Sequence, residues 1–394
     1  MKKAIFMLLI LSFVICFGAC QEEKSESDRY FDFESGLEYW VMSDGNLCVF
    51  YGEKAECPAE IVIPPTYMGR DVTKIAADAF SYQTNLKTIH IPNSITTIED
   101  SAFLACSSLT SITIPDSVTY IGAQAFRECE NLTTLTISDG VTSLGNFAFG
   151  GCKKLTEIFI PDNVTSIGTG AFSSCSGLIA IKVGEGNPVY HSMDNCLIET
   201  ESKTLIRGCK NSLIPSDGSV TSIGDASFEG CSSLTSITIP DNVTRIGASA
   251  FGGCTQLEEI TVPFVGATCD DADTAEFQYI FGKYRAPKSL KKVVISGTSP
   301  IPEGAFAGCN YLESIIISHG VTSIGDEAFA WCKSLSSIVI PNSITDIGYD
   351  SFGTASDHLD IYYAGGEEEW EDIHKSYRWD LNISNHTIHY NYGA

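Results

Sequence analysis

The sequence predicts an α/β repeat solenoid. In this fold a parallel β-sheet lines the concave face of a right-handed superhelix, short helical or 3-10 turns form its convex face, and a cap closes each end. Three observations predict it. Ten phenylalanines (Phe80, Phe103, Phe126, Phe149, Phe172, Phe228, Phe251, Phe306, Phe329 and Phe352) recur mostly every 23 residues. Each lies within a near-copy of one phrase, such as LTSITIPDSVTYIGAQAFREC, and the segments before and after these copies depart from the phrase. A unit this short carries apolar residues that it cannot bury alone, so the copies stack and share one elongated core.

Each slot of the unit has a physical role. In LTSITI the alternation of Leu109, Ile112 and Ile114 with Ser111 and Thr113 suits a short strand, apolar side inward and hydroxyls outward. Proline has no N–H to continue a ladder, so Pro92, Pro115, Pro161, Pro240 and Pro341 mark the corner that leaves the sheet. The glycine of the following Ile-Gly pair, Gly122 or Gly145 for instance, tolerates positive φ or close backbone approach at a second corner. One helical or 3-10 turn carrying Ala and Phe then closes the coil.

The spacing breaks twice: Phe172 to Phe228 is 56 residues and Phe251 to Phe306 is 55, each two units plus an insertion. The first insertion, near 184–210, contains NCLIETESKTLIRGC, a hairpin pattern around the polar turn TESK. In the second, near 263–288, Phe281 is the expected substitute for a repeat phenylalanine after an acidic loop. The domain plan is therefore residues 34–75 as N-terminal cap, 76–355 as solenoid and 356–394 as C-terminal cap. Within the last cap, GGEEEWEDIH reads as a short amphipathic helix anchored by Trp370 and Ile373.

The formal net charge is −25, and removal of Lys2 and Lys3 with residues 1–19 takes it to −27. So acidic a field excludes nucleic acid and anionic membrane surfaces as partners. Residues 1–19 have a basic start and an apolar run too short to span a bilayer, the pattern of a secretory signal. The ending FGAC resembles a bacterial lipobox, which implies lipidation at Cys20 and a membrane reached only through that anchor. Residues 20–33 read as a flexible tether. The acidic QEEKSESD within it resembles the signal that places some Gram-negative lipoproteins on the outer face of the outer membrane, so surface display is expected.

Eight cysteines (Cys106, Cys129, Cys152, Cys175, Cys231, Cys254, Cys309 and Cys332) share one slot, three residues after phenylalanine. A residue stacked at every coil reads as a small buried hydrophobe with a free thiol. Cys48 with Cys57, and Cys196 with Cys209, flank hairpins and could bridge in an oxidising compartment; spacing does not decide it.

No set of catalytic groups emerges. His386 and His389 point to opposite faces of a strand, and no GxSxG elbow is present. The acidic loop at Asp270 lacks the glycine and terminal glutamate of an EF-hand and reads as solvated. Hence no enzyme activity, no catalytic residue, no cofactor and no metal is expected. The outward strand positions are the candidate binding face: Ser111, Thr113, Thr134, Thr136, Glu157, Phe159, Ser236, Thr238, Val294, Ile316 and Val339. The first half is a hydroxyl carpet, whereas Phe159, Val294, Ile316 and Val339 set apolar groups where the pleat faces water.

The phrase SLTSITIPDSVTYIGAQAFREC resembles the BspA-type leucine-rich repeat of bacteria, and its slots L, I, IP, V, IG, AF and C recur over about residues 76–355. Departures are Gln83 and Ala355 in the cysteine slot and Ser138 and Ser318 in the corner-proline slot. The resemblance implies a surface protein that adheres to host matrix proteins or other bacteria. A monomer is expected, and glycan capture by the hydroxyl and aromatic groups is the alternative.

Overall fold

A computed structural model describes residues 29–393 apart from 53–55, 269–275, 285, 354, 356–357 and 381–384. Cys20, the tether up to residue 28 and the acidic loop around Asp270 lie outside the described residues.

Two parallel ladders run along the stack. The wider one is built from the repeat's first strand, for example Ser111–Thr113 paired with Thr134–Thr136, and Lys292–Ile295 with Ser314–Ile317. We call it the strand face. The second is a run of two-residue strands at the Ile-Gly corner, such as Tyr120–Ile121 between Thr97–Ile98 and Ser143–Leu144. An antiparallel meander of Arg29–Phe31, Leu37–Val41 and Leu47–Tyr51 covers the start of this second ladder by pairing in parallel with Arg70–Ile75. At the other end, Leu359–Tyr363 and His386–His389 extend the strand face, and a helix over Glu367–Asp372 buries Trp370, with Ile373 buried beside it.

The third side of each coil departs from expectation. The regular coils have turns there, with no helical or 3-10 segment; among the described residues helix is confined to Phe277–Tyr284 and Glu367–Asp372. The cause is backbone sign. Two positions in each turn take positive φ, four residues apart, as in Ser101 with Ala105, Gln124 with Glu128 and Phe147 with Gly151. A left-handed residue ends a right-handed helix, so the α/β description gives way to stacked strands and turns. The glycine of the Ile-Gly pair serves the other purpose: a Cβ on Gly122 would come within 2.5 Å of the Asp100 backbone nitrogen.

The left-handed turns free their N–H groups to point along the stack. Phe103 donates to Ala125 O and Phe126 to Ala148 O, both at 2.7 Å. These bonds hold successive phenylalanines one coil apart. Their rings stack at 5.0–5.6 Å and within 7° of parallel from Phe80 to Phe172, all but fully buried. Tyr51 meets the first ring at 6.4 Å and Trp379 closes the last, edge-on to Phe352 at 5.9 Å. The slot cysteine completes the unit by donating S–H to the phenylalanine carbonyl of the preceding coil, Cys129 to Phe103 at 3.3 Å and Cys332 to Phe306 at 3.1 Å.

The two insertions interrupt this stack differently. In the second, Phe277 packs on Phe306 at 4.8 Å and Phe281 packs edge-on to Phe277 at 5.4 Å, so two rings occupy the place assigned to Phe281. In the first, the predicted hairpin forms from Cys196–Glu199 and Thr204–Arg207, joined by Tyr190–Met193. No turn with a phenylalanine follows it, and the next coil's carbonyls are met from several places: Ser174 of the Phe172 turn gives its N–H to Glu229 O at 2.8 Å and Gly208 gives its N–H to Ser227 O at 2.9 Å. Arg207, 3% exposed, adds a second donor: its Nη1 reaches Glu229 O at 3.0 Å, Ser227 O at 3.2 Å and Ala226 O at 3.5 Å. Any side chain at Gly208 would strike the Phe228 ring. The sequence pattern shows Arg207 only as a strand residue; its burial against these carbonyls is a tertiary feature.

Phe126→Ala is expected to lower stability by ~3–5 kcal/mol through the cavity it opens, and Thr113→Ala to change it little. Denaturant midpoints check both, and equal midpoints would contradict the inward and outward assignment. Arg207→Met should cost only about 1 kcal/mol, the net worth of the lost guanidinium hydrogen bonds, because Ala226 O, Ser227 O and Glu229 O each keep a backbone donor. Calorimetry on the purified chain reads this directly; a variant that melts like the parent would show that the guanidinium is replaceable.

Candidate functional site

The structure sorts the eleven candidate face residues by position along the strand face. Ser111, Thr113, Thr134, Thr136, Glu157, Phe159, Ser236 and Thr238 are exposed, with Phe159 at 49%. Val294, Ile316 and Val339 lie side by side in register but are half-buried, so the pleat does not set them fully in water. This row continues past the repeats: Val339 pairs with Tyr362, and Tyr362 pairs with His389 and stacks on its ring at 4.6 Å.

Charge pairing is the feature that sequence reading missed. The carboxylates that point outward from the paired strands are Glu60, Glu157, Glu259 and Asp360. Each meets a cationic or imidazole side chain from the next strand: Glu60 with His90 at 3.2 Å, Glu157 with Lys182 at 2.7 Å, Glu259 with Lys292 at 2.9 Å and Asp360 with His389 at 2.9 Å. Asp360 is held below the usual carboxylate range, first by the His389 hydrogen bond and then by His358. Exposed pairs of this kind add little stability. Their consequence is electrical: on a chain of net charge −25, the Glu157 and Glu259 carboxylates of this face are each matched by a lysine, while Glu60 and Asp360 meet imidazoles. The partners sit on neighbouring strands, 25 to 33 residues apart along the chain, a separation at which a register must be known before a pair can be read.

The cysteine slot forms no reactive site. Among the described cysteines there is no disulfide, so neither candidate bridge is formed. Burial pushes the Cys106 and Cys309 thiols up to about 12 from an ordinary 9.0. Cys175 differs: hydrogen bonding with Cys152 lowers it, and the Arg207 guanidinium adds to the effect, while Cys152 is raised. No group of three or more His, Cys, Asp or Glu side chains among the described residues is arranged to hold a metal ion.

A thiol whose folded pKa lies above its unfolded value contributes fully below the unfolded pKa and loses that contribution as pH rises toward the folded one. Stability is therefore expected to be flat below about pH 9 with respect to these thiols and to fall between pH 9 and 12. Urea midpoints across that range check it, and Cys106→Ala with Cys309→Ala should flatten the decline.

Comparison with known proteins agrees with this geometry. The model of the BspA-type leucine-rich repeat region matches residues 69–196, 202–279 and 278–389. A leucine-rich repeat protein from Bacteroides ovatus is similar at 25% identity and a TM-score of 0.56, over 92% of this chain and all of that one. The pneumococcal vaccine antigen PcpA shares the fold at 20% identity and a TM-score of 0.54, over 92% of this chain and 98% of that one. No curated protein matches the sequence. Repeated strand, corner and left-handed turn, together with the matched phrase, place this chain in the BspA-type leucine-rich repeat family.

Proposed function

We propose that the chain is a surface-displayed lipoprotein, anchored through Cys20, whose strand face binds an extracellular protein and so supports adhesion to host matrix or to other bacteria. The observation that carries this reading is the pairing of Glu157 with Lys182 and of Glu259 with Lys292 on the strand face of a strongly acidic molecule. Macromolecules at cell surfaces are commonly acidic, and a face of paired charges lets one approach without the repulsion that the rest of the rod would impose. Rows of hydroxyls with Phe159 among them supply hydrogen bonding and an apolar anchor. Family membership supports a binding scaffold with no chemistry of its own. The anchor rests on the FGAC motif, and among the described residues no helix is long and apolar enough to cross a membrane.

A second reading, glycan capture, is favoured by one observation. Tyr362, His389 and the half-exposed Tyr392 form an aromatic cluster beside Asp360 at the end of the face, with Tyr362 and Tyr392 ring centres 4.9 Å apart. Stacking on sugar faces uses groups of this kind.

Protease treatment of intact cells should release the chain if it is displayed, and retention would remove the surface claim. Thr113→Glu, Phe159→Glu and Ile316→Glu together should abolish binding to a purified matrix protein by upsetting the balance while leaving the melting curve unchanged. Matrix-protein and glycan arrays probed in parallel separate the two readings, and binding that survives the triple substitution would overturn the strand-face assignment.

A further inference from the structure

Among the described residues the strand-face ladder is interrupted after Thr88–His90, after Thr134–Thr136 and after Ala180–Val183, and only the last of these gaps carries the inserted hairpin. Ala180–Val183 pairs on one side only, with Glu157–Ile160, and Ser236–Thr238 stands at the edge of the sheet that follows. Residues 211–214 occupy the coil between them. Their burial alternates exposed, buried, exposed, buried, as in residues 111–114, and Ile214-Pro215 repeats Ile114-Pro115, so Leu213 takes the outward slot of Thr113. No ladder forms across this coil. The Ala180–Val183 edge is met by side chains instead: Ser192 Oγ accepts the Val183 N–H at 3.1 Å, and Asn211 Nδ2 donates to Ile179 O at 3.4 Å.

The reason is the inserted hairpin, whose Asp194–Asn195 turn, both residues at positive φ, reaches into the gap. Asp194 O takes the Leu213 N–H at 3.1 Å, and Asn195 Nδ2 reaches Asn211 O at 3.4 Å. Three apolar side chains are left in water around that turn: Leu213 at 71% exposure, Ile179 at 38% and Met193 at 37%. Met193 is tied to the same coil by Ser219, whose hydroxyl contacts its sulfur and also bonds Asp217.

Charge also differs here. The stretch 184–219 carries Glu185, Asp194, Glu199, Glu201 and Asp217 against two exposed lysines, Lys203 and Lys210, since Arg207 is buried. Among the described residues no ion pair joins any of these side chains, in contrast to the paired carboxylates of the flanking strands. With the buried Arg207 counted, the stretch is left at a net −2, and its exposed side chains set five carboxylates against two lysines beside an exposed apolar group.

We propose that this break is a docking point for a cationic segment of a protein partner, one that seats an apolar side chain against Leu213, Ile179 and Met193 and sets lysine or arginine near Asp194 and Asp217. The inference rests on the protein-binding reading of the strand face and names the chemistry of its central contact. Apolar anchors ringed by complementary charge are the arrangement that concentrates binding energy in a few residues.

The test is fluorescence anisotropy with a dye-labelled peptide of alternating Lys and Leu, against a Glu and Leu counterpart, on the full chain at two salt concentrations. The Lys and Leu peptide should bind and weaken with salt, and the acidic peptide should not bind. Leu213→Ser should weaken binding at least fivefold. Asp194→Asn, which keeps a residue type tolerant of positive φ, should weaken it about threefold. Asp116→Asn with Asp139→Asn, at corners of other coils, should leave it unchanged. Equal loss in the corner variant, equal binding of the acidic peptide, or no binding of the basic one would overturn the proposal. Circular dichroism melts confirm that the exposed substitutions leave folding intact. On a purified matrix protein, loss in the triple glutamate variant with none in Leu213→Ser would leave the strand-face reading standing and remove this one.

Discussion

The structure depends on the bond between one coil's turn N–H and the next coil's turn carbonyl, which fixes phenylalanine over phenylalanine at about 5 Å. Two left-handed residues per turn aim these groups along the stack; a helical turn would have spent them within the coil. The ring stack supplies the apolar energy, and the hydrogen bonds make it directional. The slot cysteine belongs to the same device, because its S–H takes the phenylalanine carbonyl that the turn geometry leaves facing the following coil.

That constraint explains both the tolerance and the cost of the insertions. A coil may lose its phenylalanine only if something else satisfies the next turn. Ser174 and Gly208 do so with their backbone N–H groups and Arg207 adds its guanidinium, at the expense of a buried charge whose Nε has no partner among the described residues. The second insertion meets the same demand with two phenylalanines on a short 3-10 segment. Aromatic caps finish the series with Tyr51 at one end and Trp379 at the other, where an open stack would expose a ring face to water.

The proposed binding surface is the strand face. Because every strand contributes two outward residues in fixed register, side chains distant in sequence become neighbours, and carboxylates of the acidic rod meet lysines from the next strand. The coil at residues 211–214 has no such pair among the described residues and sets Leu213 outward. A single event, replacement of a turn by a hairpin, thus produces both the buried arginine within the core and the exposed leucine on the surface.

The sequence by itself determined the stacked solenoid, its period, its proline corners, the inward and outward alternation of the strands and the aromatic anchors of the C-terminal cap. These are local properties, since apolar spacing and backbone restrictions act within a few residues. Tertiary structure decided the sign of the turns. Left-handed slots are filled by Tyr82 and Trp331 as readily as by Gly151 and Gly253, and non-glycine residues give no local warning of positive φ. It likewise decided the burial of Arg207, the outward placement of Leu213 and the pairing of Glu157 with Lys182, because each depends on which coil lies next in space. Stacking, which no single repeat encodes, turned a periodic text into a face with a charge pattern.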